Sequence, residues 1–179
     1  MHEGVELPEG HGEHGSHPLT LPVSVTIAIL AVLVAAVTLL GHRASTEELL
    51  LQSQATDQWA YYQAKNIRLH EMQGFADMLG ALAPQDKEKA AEVREKYLKE
   101  VERYENDKDE VGEKARELEK ERDVVSRRGD RFDCGEALLE IGLVICSITL
   151  LTKRRAFWIA GILIGAAGVV MALTGFLVR

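Results

Sequence analysis

The stretch LTLPVSVTIAILAVLVAAVTLL, Leu19–Leu40, carries no ionisable side chain. As a helix rising ~1.5 Å per residue it is long enough for the ~30 Å hydrocarbon core of a bilayer. Two further stretches share this character: Cys134–Thr152, interrupted by Glu136 and Glu140, and Ala156–Val178. Lipid offers no hydrogen bonds, so a chain crosses it as helices that satisfy their own backbone. The expectation is an all-α integral membrane protein with three transmembrane helices, at 19–41, 134–152 and 156–178.

Residues 42–133 are strongly polar and read as continuously helical, with one clear interruption at Ala83-Pro84. Proline disfavours helix in the residue before it and starts helices well, so a turn is expected near 83–85. The two flanking segments are nearly equal in length, which makes 42–133 a soluble antiparallel helical hairpin returning to the membrane. In the returning arm Val101, Tyr104, Lys108, Val111, Ala115, Leu118, Arg122 and Val125 alternate at three- and four-residue steps, the mark of a coiled-coil seam. The outgoing arm offers larger apolar groups, and Trp59, Tyr62, Ile67 and Phe75 are the expected hairpin contacts. Two thin apolar faces bury little alone, so further hairpins from identical subunits are expected to complete the packing. Gly129 is read as a place where the helix loosens on its way into the second span.

Net charge is −7, with Glu3, Glu6, Glu9 and Glu13 concentrated in a tail, 1–18, that is expected to be disordered. A chain of this balance lacks the basic face that nucleic acid needs. His11, His14 and His17 stand at three-residue spacing among acids and glycines, a weak divalent-metal candidate; no other cofactor is implied. Cys134 and Cys146, ~18 Å apart on one helix, cannot bridge each other.

In the third span Gly161, Gly165, Gly168, Ala172 and Gly175 line one face with small residues, which permits close backbone approach to a neighbour. The neighbour is the second span, across a basic loop of only Lys153, Arg154 and Arg155, or an identical subunit. Glu136 and Glu140 are the acids of the second span. Acids inside lipid are costly and draw attention as functional groups. Ion pairing with His42, Arg43 or Arg179 near the headgroups, an ion or proton path, and subunit recognition are the three readings. Arg43, Lys120, Arg122, Arg127, Arg128 and Arg131 outnumber the basic residues of the short loop, which favours a cytoplasmic hairpin.

The run Gln54-Ala-Thr-Asp-Gln-Trp-Ala-Tyr-Tyr-Gln-Ala-Lys-Asn-Ile-Arg68 resembles a bacterial membrane family catalogued as domain of unknown function 4337. The order of parts is similar too: acidic His-bearing tail, anchor, charged helical middle, the boundary Arg131-Phe132-Asp133, and a closing pair of spans around Lys153-Arg154-Arg155. The resemblance implies a multi-pass architecture in a bacterial inner membrane and transfers no activity and no functional residue. Nothing in the sequence pairs a nucleophile with a base or cradles a phosphate in a glycine loop. The function expected is a non-enzymatic membrane scaffold or assembly protein, homo-oligomeric, that presents the hairpin for self-association or for docking a protein partner. The alternatives are a small ion channel using Glu140 and metal binding by the tail.

Overall fold

A computed structural model of the chain describes residues 19–82 and 86–178. The histidine-bearing tail, the turn expected near 83–85 and Arg179 lie outside the described residues. Those described form three α-helices and no strand: α1 Thr20–Ala81, α2 Lys87–Thr152 and α3 Arg155–Gly175. Each contains a segment long and apolar enough to cross a membrane.

Local chemistry sets the helix ends. Pro22 falls in the first turn of α1, where its missing amide leaves no bond unmade. α2 starts at Asp86, whose carboxylate accepts the Lys89 backbone N–H at 3.0 Å, with Glu88 placed favourably in the first turn. The break between α2 and α3 is a single left-handed residue, Lys153 (φ 55°), whose N–H donates to the Thr149 carbonyl at 2.8 Å. Arg154 is extended and α3 begins at Arg155, one residue before the sequence expectation.

α1 has 62 residues and α2 has 66, so each is about 90–100 Å long. Contacts join Thr38 to Glu136, Gln52 to Arg122, Trp59 to Glu119, Lys65 to Asp107 and Ala76 to Arg94. Successive residues of α1 thus meet progressively earlier residues of α2. The pairing follows one rule throughout. From Val23 to Leu79, every position reached by alternating steps of four and three residues is buried or half-buried. The same holds in α2 from Tyr97 to Cys146. A seven-residue repeat of buried and half-buried positions thus runs along both helices.

α2 is one helix across the junction between its polar and apolar lengths, and this corrects the reading of Gly129. It is buried, and a Cβ built on it would lie 3.7 Å from the Ala44 Cβ. Gly129 brings α1 and α2 together there without loosening either. The core lies in the apolar half and runs into the adjoining end of the polar length, where Leu30, Val37, Ala44, Val125, Phe132, Leu139, Cys146 and Ala172 form one cluster with Trp158 packed against it.

Candidate functional site

Three groups of residues concentrate the molecule's chemistry: the glycine contact between α2 and α3, the acids of α2, and the polar section of the α1–α2 seam. Gly161, Gly165, Gly168, Ala172 and Gly175 are all buried. The face opposite is made by Gly135 and Gly142 of α2, seven residues apart, which sequence reasoning passed over. A Cβ on Gly142 would stand 2.8 Å from the Gly161 carbonyl oxygen, and one on Gly161 would stand 2.7 Å from the Gly142 oxygen. Gly168 similarly meets the Gly135 carbonyl, and a Cβ on Gly175 would be 2.9 Å from the Phe132 ring. Backbones this close leave no room for a methyl group, so the helices are held by direct main-chain packing. Gly165 differs, facing Leu30 of α1. α3 is also tied to α1 by Trp158, whose indole N–H donates to the Thr26 hydroxyl at 3.1 Å. A tryptophan at the end of an apolar helix was the available signal for that contact.

Glu136 and Glu140 are separated by their surroundings. Glu136 occupies the seam, half-buried, and accepts the Thr38 hydroxyl at 2.5 Å. Glu140 is exposed and has no hydrogen-bond or ion-pair partner among the described residues. Neither acid pairs with His42 or Arg43. Cys134 is exposed and Cys146 is buried against the Gly161 backbone.

Of the four contacts expected on α1, Trp59 and Tyr62 are half-buried at the α2 contact. The Trp59 indole donates to Glu119 at 2.8 Å and packs edge-on to Tyr62 at 5.5 Å between centroids. Tyr62 covers Gly112. Phe75 is 45% exposed but meets Tyr97, centroid to centroid, at 5.7 Å. Ile67 corrects the expectation: it is 59% exposed and points off the seam. Along the polar length of α1 the buried positions are Ala44, Ala55, Leu69 and Ala76. A seam between two helices is a strip only two or three positions wide per seven, so spacing rather than side-chain size selects what it covers.

At the middle of the polar length Lys65 holds a seam position. Its ammonium pairs with Asp107 at 2.6 Å and lies 5.3 Å from the ring centroids of both Tyr61 and Tyr104. The Asp107 hydrogen bond, more than any other influence, raises the Lys65 pKa above its ordinary value. Beside it, Arg68 bonded to the Tyr104 hydroxyl draws that phenol below its usual range. Arg103, on the same small cavity, is already engaged with Glu100 at 2.7 Å. This cluster is a set of mutually satisfied charges that joins α1 to α2.

A family model described as "Domain of unknown function (DUF4337)" matches residues 19–178. No curated protein and no solved structure matches the chain.

Proposed function

The chain belongs to the DUF4337 family, and on that footing we propose that it is a non-enzymatic membrane scaffold: three spans holding a long antiparallel helical rod off one face of the bilayer, for self-association or for docking a protein partner. One observation carries this reading. The buried seam runs without a change of step from the polar lengths of α1 and α2 into their apolar lengths, through Ala44, Val125, Phe132 and Leu139. Rod and spans on this account are a single stiff object, so that a load or partner at the tip is fixed in distance and direction from the membrane.

The charge pattern supports the placement of the bilayer. Arg131 and Lys153, at the two ends of the apolar length of α2, are separated by ~33 Å of helix, close to the thickness of a hydrocarbon core. Arg43, Arg127 and Arg128 gather at the Arg131 end, and Lys153, Arg154 and Arg155 are exposed at the other. The larger basic group stands on the rod side, which favours a cytoplasmic rod in a bacterial inner membrane. Homo-oligomerisation is supported by apolar side chains left uncovered along the rod: Leu49, Leu50, Ile67 and Met78 are each more than half exposed. Native mass spectrometry of the full chain released from nanodiscs tests the reading. A defined homo-oligomer, or a monomer with a stoichiometric protein partner, is expected. A bare monomer at all concentrations contradicts it.

Glu140 favours a second reading, a small ion channel. An unpartnered carboxylate on the outer face of a span is expensive in lipid, and a hydrated axis between subunits would relieve it. Ion flux in proteoliposomes that Glu140→Gln abolishes, with the oligomer intact, is its expected signature. Absence of flux in the unaltered protein ends it.

A further inference from the structure

Where the polar and apolar lengths meet, a cavity of about 320 Å³ opens between α1, α2 and the residue that caps α3, lined by Leu40, Arg43, Ala44, Glu47, Arg128, Phe132 and Phe176. Its charged residues are uncommitted. Among the described residues Arg43, Glu47 and Arg128 make no ion pair and no side-chain hydrogen bond, although Arg128 is half-buried. Farther along the rod Lys65 and Arg103 are held by acids of their own chain, while Lys114 and Lys120 are unpaired among the described residues but stand on the exposed face. Two free guanidinium groups from different helices suit one phosphate, which takes planar, forked donors well. The opposite wall is apolar and aromatic, a surface that a free anion has no use for. Glu47 at the rim calls for a hydrogen-bond donor on the same ligand.

We propose that this cavity binds one phospholipid with a donor-bearing headgroup of the ethanolamine kind. Its phosphate lies between Arg43 and Arg128, its ammonium on Glu47, and the start of an acyl chain against Leu40, Phe132 and Phe176. The inference rests on the membrane reading above, because only there does the cavity fall at headgroup depth. A lipid in this position touches α1, α2 and the end of α3 and ties rod to spans at their junction.

The test is lipid binding to the detergent-purified full chain by native mass spectrometry, titrated with phosphatidylethanolamine and with phosphatidylcholine of identical acyl chains. The unaltered protein should hold the ethanolamine lipid several-fold better, since choline offers no N–H to Glu47. Arg43→Gln with Arg128→Gln should weaken binding about tenfold. Lys114→Gln with Lys120→Gln, an equal change of charge on the exposed rod, should leave it unchanged, and Glu47→Gln should remove the preference between the two lipids. Equal binding by the unaltered chain and the Arg43/Arg128 variant overturns the site. Displacement of the lipid by millimolar inorganic phosphate overturns it too, by showing a free-anion site. Alkaline carbonate extraction keeps the two claims apart. A chain stripped from membranes refutes the membrane reading itself, whereas a retained chain with no lipid difference refutes the cavity alone.

Discussion

At the scale of single residues the glycines divide by what surrounds them. Gly142 and Gly161 face each other's backbone at under 3 Å from where a Cβ would stand, and backbone cannot rotate aside as a side chain can. Gly142→Ala or Gly161→Ala should therefore force α2 and α3 apart and cost ~1–3 kcal/mol, the range for overpacking. Gly74 is the opposite case, exposed in α1 with nothing within 4 Å, and Gly74→Ala should stabilise by ~0.5–1 kcal/mol through helix propensity alone. Thermal melting followed by circular dichroism in detergent separates the two: a fall in midpoint for the first pair, a rise for the second. Lys65 makes a pH prediction. Its pKa is raised by folding, so its contribution is complete below the ordinary lysine value and is lost as pH climbs through the raised one. The stability difference between the unaltered protein and Asp107→Asn should thus persist at neutral pH and close at strongly alkaline pH. A difference that stays constant across that range would show that the pair carries no linkage. The five small residues of α3 were legible because their spacing is regular against a large-residue background. Gly135 and Gly142 were not, because the two acids beside them dominate any reading of that stretch.

At the scale of elements the rod is a two-helix seam, and its logic is arithmetic. Removing seven residues from α1 together with the seven they face in α2, 65–71 with 101–107, keeps the alternating step and should give a shorter, fully helical protein with a single cooperative melt. Removing two from each arm turns every following seam position by about 200°, to the far side of its helix, and should uncouple rod from spans, seen as a lower, broadened transition. Similar melts for both deletions would mean that the seam does not set the pairing. The returning arm was legible in the sequence because Val101, Tyr104, Val111, Leu118 and Val125 are apolar at the right spacing. In the outgoing arm much of the seam is small or polar, as at Ala55, Gln58 and Lys65, while Ile67 and Met78 lie off it. Choosing that face by side-chain size rather than by spacing selected Ile67. A pair of helices, unlike a globular core, buries so narrow a strip that large apolar residues outside it stay exposed. The continuous passage of α2 through Gly129 was hidden for a related reason: glycine is read as a breaker unless its partner, here Ala44, is known.

For the whole molecule, the central claim is that one continuous antiparallel pair, α1 with α2, passes from water into the bilayer without a joint. Everything proposed for function depends on that continuity, since a hinge at the junction would make the rod a tether instead of a rigid arm. Ala44 and Gly129 mark the junction, and the 3.7 Å between the Ala44 Cβ and a Cβ at Gly129 is close to the ~3.8 Å of a disulfide. The most direct measurement is oxidation of an Ala44→Cys, Gly129→Cys variant, with Cys134 and Cys146 replaced by Ser and Ala, in intact membrane vesicles, read by mass and by mobility without reductant. The account predicts rapid closure of an intrachain disulfide in a protein that resists carbonate extraction. Cysteines that stay free, or that join only different chains, would contradict it.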